Sequence, residues 1–207
     1  MKRTVSLLAT TALAFALAAC STGTPHAPEQ AAPASASPWV SSSPADPNLP
    51  EVNAQGDIPD NQQYVPYTPP TGGFSVKVPE GWARMASPSS ATFTDKLNSI
   101  RVDVSARPGA PTTASARAEV AALGTKAGHF AAGPVKTVAR KAGTAVVAFY
   151  RADAAADPVT GKVVNDDVER YQFWANGKLV TLTLGGPHGA DNVDPWRIVT
   201  DSFRWTA

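Results

Sequence analysis

The dipeptide Asn176-Gly177 constrains this chain more than any other pair of residues. A two-residue type I′ turn needs positive φ at both central positions, which Asn and Gly tolerate, so the segments on either side must run antiparallel in one register. Counting outward, Phe173 faces Val180 and Tyr171 faces Leu182, and these four share one face as core. Trp174 with Leu179, Gln172 with Thr181 and Arg170 with Thr183 share the other face. That second face mixes apolar and polar groups, so it is expected to be only partly covered.

Other strands follow from alternation of apolar and polar residues. Phe74-Ser75-Val76-Lys77-Val78 is one, closed by the turn residues Pro79-Glu80-Gly81 and followed by Trp82 as an expected core anchor. Residues 91–94, 100–104, 135–138, 144–152, 163–175 and 179–184 read as further strands. Asp157-Pro158-Val159-Thr160-Gly161 carries turn chemistry between two of them. A helix is expected over residues 113–126, with Ala116, Val120, Leu123 and Ala127 at helical spacing, Thr112 or Thr113 as its cap and Gly128 as its stop. A second helix is expected from an Asp194 cap and Pro195, with Trp196, Val199 and Phe203 as its apolar stripe. The fold class is α+β, an antiparallel sheet flanked by helices.

Upstream the composition changes. Of the 19 prolines, 11 lie between Pro25 and Pro70, and no Lys or Arg occurs from residue 4 to residue 76. Residues 21–72 hold too few large apolar side chains to offset a backbone ordering cost of roughly 1–2 kcal/mol per residue, and are expected to form a disordered tether. Such a tether reaches roughly 40 Å as a coil and roughly 160 Å as extended polyproline. Within it, Tyr64-Val65-Pro66-Tyr67 is read as a strap that packs on the module. Five of the 17 acidic residues lie in the tether, which has no cation. The remaining 12 face 16 Lys and Arg in residues 73–207, a net +4 that is far from the concentrated charge of a nucleic-acid binder.

The one cysteine, Cys20, follows Lys2-Arg3, an apolar run and Leu17-Ala18-Ala19. This is a secretory signal ending in a lipobox, and it resembles the bacterial lipoprotein class. The expected organisation is a signal peptide at 1–19, lipidated Cys20 and tether at 20–72, and a folded module at 73–207. Membership of that class implies cleavage between Ala19 and Cys20, diacylglycerol on the thiol and attachment to the outer face of a cell membrane. With no second cysteine, an intrachain disulfide or cysteine-rich zinc site is excluded.

The opening Gly73-Phe74-Ser75-Val76-Lys77-Val78-Pro79-Glu80-Gly81-Trp82 and the closing Ile198-Val199-Thr200-Asp201-Ser202-Phe203-Arg204-Trp205 resemble the PsbP-like modules of actinobacterial lipoproteins of the LpqN/LpqT type. The resemblance covers about residues 70–207 and rests on core and turn motifs. It implies an antiparallel sheet with helices on both faces and a non-enzymatic adaptor for an envelope protein or lipid. It carries no catalytic residue and no cofactor onto this chain.

No Gly-x-Ser-x-Gly elbow, His-Glu-x-x-His helix or phosphate-binding glycine loop is present. A Ser/His/Asp set would have to use His129 or His188, and an envelope hydrolase with an unrecognised site is the alternative function. The run from His188 to Asp194 is read as a loop and helix cap rather than a metal site, and Asp166, Asp167 and Glu169 as a solvated strand end rather than a calcium site. Arg170 and Trp174, on the partly covered face, are the candidate binding surface.

Overall fold

A computed structural model describes residues 56–156 and 160–206. Their elements run β1 (Tyr64–Tyr67), β2 (Phe74–Pro79), β3 (Ala83–Ser87), β4 (Ser90–Asp95), β5 (Asn98–Ala106), α1 (Thr113–Gly124), β6 (Ala131–Arg140), β7 (Gly143–Asp153), β8 (Asn165–Ala175), β9 (Lys178–Pro187), α2 (Val193–Ser202) and β10 (Arg204–Trp205). Seven strands form an antiparallel sheet in the order β3-β4-β5-β9-β8-β7-β6, and β1-β2-β10 form a small second sheet. The expected α+β architecture, an antiparallel sheet flanked by helices, is the one observed.

The hairpin at Asn176-Gly177 sets the centre. Both residues have positive φ, at 48° and 77°, and Phe173 pairs with Val180, Tyr171 with Leu182 and Trp174 with Leu179. Tyr171, Phe173, Val180 and Leu182 are all buried, and they join Ile100, Val102, Phe93 and Val147 in one core. The small sheet and α2 close that core. Phe203 stacks on Phe173 at 4.1 Å and on Phe74 at 5.3 Å, and meets Trp205 edge-on at 5.1 Å. Each fully buried ring of this kind stabilises the fold by roughly 1.5–3 kcal/mol.

Helix α1 lies on the opposite face, against β6 and β7. Alternation along β7 sends Ala145 and Val147 to the core and leaves Val146 and Ala148 for α1, whose own buried residues are Ala116 and Val120. The helix starts as expected at Thr112, whose hydroxyl accepts from Ser115 N while Ser115 Oγ accepts from Thr112 N. It ends earlier than expected, at Gly124. Thr125 donates its hydroxyl to Ala122 O and Lys126 N bonds to Leu123 O, which closes the last turn before Gly128.

Several expectations need correction. Residues 56–72, read as tether, belong to the fold. Ile58 and Tyr67 are buried in the core, and the Asn192 side chain accepts from Ile58 N (2.8 Å) and donates to Gly56 O (3.1 Å). Asn98 also donates to Gly56 O at 2.9 Å, so backbone groups at the start of this stretch are satisfied by buried amides. β1 pairs with β2, as the strap reading expected. Trp82 is half-buried at the margin, edge-on to Trp196 at 6.5 Å. α2 starts at Val193 because Asn192, not Asp194, stands at its entry. The sequence does not signal β3, which is exposed throughout and so has no buried face to alternate with, or β10, which is only two residues long. The signal peptide, Ala19, Cys20 and the tether before Gly56 lie outside the described residues, as does most of the turn at 157–161.

Candidate functional site

Arg170 and Trp174 fall on the α1 face, where the register put them. There they form an internal seam. Trp174 Nε1 donates to Arg107 O at 2.9 Å, while Arg170 donates from Nη1 to Thr183 Oγ1 at 3.0 Å and places Nη2 3.9 Å from Glu119 Oε2. The same carboxylate accepts from Gln172 Nε2 and, through its other oxygen, from Arg107 at 2.8 Å. With Arg170's side chain only 21% exposed, these groups tie α1 to the sheet.

A more open constellation surrounds the end of α2. A groove of about 510 Å³ has Lys77 of β2, Lys141 of the β6–β7 turn, Arg197 of α2 and Arg204 of β10 along its sides, with Asp201 as its one carboxylate. All four cations are exposed, and Ile198 beside them is 46% exposed. Asp201 is held between Arg140 (3.6 Å) and Arg197 (3.7 Å), so little of its charge is left to offset the others. The floor is rigid. Lys77 N donates to Ser202 Oγ (2.7 Å), and Arg204 Nε donates to Ser75 Oγ (3.0 Å). Behind it Arg140 donates to Thr200 Oγ1 (3.2 Å) and Tyr171 Oη (2.9 Å), and lies over the Tyr171 ring. Burial, aided by the hydrogen bond to Glu169, pushes the Tyr171 phenol up to about 12, so it stays neutral. Four cations converging beside an exposed apolar side chain suit a phosphate or carboxylate carried on an apolar body. Sequence reading could not assemble this groove because Lys77 and Arg204 are far apart in the chain. The signal it did contain was the surplus of cations in residues 73–207.

The histidines are also placed. His129 Nδ1 lies 2.8 Å from Asp153 and His188 Nδ1 lies 2.7 Å from Asp167, both at the surface. Among the described residues no serine hydroxyl is hydrogen-bonded to either imidazole, and no group of three or more His, Cys, Asp or Glu is placed to hold a metal ion. No helix among them is long and apolar enough to cross a membrane.

Taken together, an antiparallel sheet flanked by two helices and a short N-terminal strap match a PsbP-like fold. The solution structure of cyanobacterial PsbP (CyanoP) from Synechocystis sp. PCC 6803 is similar at a TM-score of 0.51 and 18% identity, over 73% of this chain and 98% of that one. The Saccharomyces cerevisiae Ran-binding protein Mog1p (TM-score 0.43, 14% identity, 61% and 78% covered) is a more distant neighbour. So is LpqN of Mycobacterium tuberculosis, described as involved in cell envelope biogenesis (0.40, 12%, 72% and 93%). The fold likeness rests on the cyanobacterial protein. No family model and no curated protein matches the sequence.

Proposed function

We propose that this chain is a cell-envelope lipoprotein of the actinobacterial kind, held on the outer face of a membrane through Cys20. Its PsbP-like module then binds an anionic envelope partner, protein or lipid, without catalysis. The observation that carries the binding reading is the groove in which Lys77, Lys141, Arg197 and Arg204 surround Asp201, which is paired with Arg197 itself and with Arg140 behind the floor. The lipobox Leu17-Ala18-Ala19-Cys20 behind an apolar run supports the anchor. Two or more acyl chains, each methylene contributing about 0.8 kcal/mol, would hold the protein on its membrane without a spanning helix.

The test is a photoreactive residue at Ile198 in the native envelope, followed by identification of what it captures. Capture of a phosphate- or carboxylate-rich partner is expected, and it is expected to vanish when the four cations are changed to Gln. Capture that survives those changes would overturn the groove reading. Mass spectrometry of the native protein tests the anchor separately. An unmodified Cys20 would overturn it.

A further inference from the structure

A second cavity, on the other face of the sheet, is not used by the groove. It is an open cleft of about 370 Å³ between the C-terminal end of α1 and strands β5, β9, β8 and β7, within the size range of small-molecule sites. Leu123, Ala127, Ala152 and Val168 supply apolar lining, with Ser99 and Thr183 hydroxyls among them. Asp166 also lines it. Only 6% of this residue is exposed, and its Oδ1, shut off from solvent, accepts no hydrogen bond among the described residues. A buried carboxylate without a donor is costly, and native folds rarely keep one without reason.

The surroundings leave the space next to it open. A Cβ at residue 185 would sit 3.2 Å from both Asp166 Oδ2 and Ser99 Oγ, and Gly185 keeps that room clear. Lys126 stands exposed at the rim, and among the described residues it makes no ion pair with Asp166. Asp153, also in the lining, is engaged by His129 and Asn165. The last turn of α1 carries no basic residue, so its carbonyl end adds negative potential to the same space. With Asp153 taken up by His129 and Asn165, and no group of three or more His, Cys, Asp or Glu placed to hold a metal ion among the described residues, the free Asp166 carboxylate suits an N–H cation better.

We propose that this cleft binds a small primary ammonium compound with a short apolar body, its N–H groups received by Asp166. The charge-assisted bond fixes the head, and the Leu123, Ala127 and Val168 side chains cover the body. Burial, with Asp167 beside it, raises the Asp166 carboxyl to about 6, so the acceptor is ionised at neutral pH and is lost in mild acid.

The experiment is calorimetric titration of the full-length protein in detergent with n-butylammonium, butan-1-ol and butyrate. Butylammonium is expected to bind in the millimolar range at pH 7.5, with the neutral alcohol about tenfold weaker or worse and butyrate not bound. Affinity should fall about tenfold at pH 5, where an acid of this strength is mostly protonated. Asp166→Asn should lose about tenfold and abolish the pH dependence, which separates Asp166 from His129 and the other titrating groups near the rim. Gly185→Ala keeps the acid but fills the approach, and should weaken binding. Equal affinity in Asp166→Asn and the native protein, or butyrate or butan-1-ol binding as well as the amine, would overturn the proposal.

Discussion

The two helices flank one sheet and meet it in opposite ways. Helix α2 lies over a dry face of stacked rings, Phe173, Phe203 and Phe74, and turns its charges outward into an open basic groove. Helix α1 covers a face of amides, hydroxyls and salt links, Gln172, Thr181, Arg170 and Glu119, and keeps an unpartnered acid beneath its end. One face puts its cohesion inside and its electrostatics outside. The other holds its electrostatics within, where low dielectric makes each group count for more. The first face offers a cationic groove of about 510 Å³ and the second an acidic cleft of about 370 Å³, so the two suit ligand groups of opposite charge.

The largest expected effect tests the dry face. Phe203→Ala removes a ring that touches three others and should cost about 3–5 kcal/mol by denaturant unfolding, without touching the α1 seam. A loss below about 1 kcal/mol would mean that the stacked core is not what holds α2 in place.

The next tests the wet face through pH. An acid whose folded value is raised from 3.8 to about 6 binds protons more tightly when folded, so its contribution is fully present below pH 4 and declines as pH rises through 6. Stability should therefore drop by about 1–3 kcal/mol across that window relative to Asp166→Asn, which lacks this term. Equal pH curves for the two proteins would remove Asp166 from its buried setting.

A smaller effect is expected at the seam. Trp174→Phe keeps the ring but loses the hydrogen bond to Arg107 O, at about 1 kcal/mol. At the groove, Gln at positions 77, 141, 197 and 204 should leave stability within about 1 kcal/mol while abolishing partner capture, since all four side chains are exposed. Last, Lys126→Gln should strengthen butylammonium binding by about twofold at low salt, by removing a like charge from the rim of the cleft.

How much of this could be read from sequence follows the same division. The dry face was legible because period-two alternation and an Asn-Gly turn fix which residues face inward, and Phe173, Tyr171, Val180 and Leu182 are where counting put them. The wet face was legible only as a register. That Arg170 and Trp174 share it with Gln172 could be counted, but that Glu119 and Arg107 fold back onto them depends on long-range packing. Asp166 and Asp167 are adjacent and chemically identical, and were read together as a solvated strand end. Strand alternation sends one under α1 and the other to solvent, which sequence shows only once it is known which face the helix covers. The groove was least legible, since its cations come from β2, a turn, α2 and β10.

Asn192 has one further consequence. Its side chain, buried with that of Asn98, grips the backbone at Gly56 and Ile58, the first residues of the described fold. Among the described residues, tension carried along the chain from its N-terminal side meets this double-amide brace before it can reach β1 or the sheet. The brace makes the fold a fixed attachment point under load. Failure would begin with the amides letting go of Gly56, a mechanical weak link separate from the stacked rings that set the resting stability.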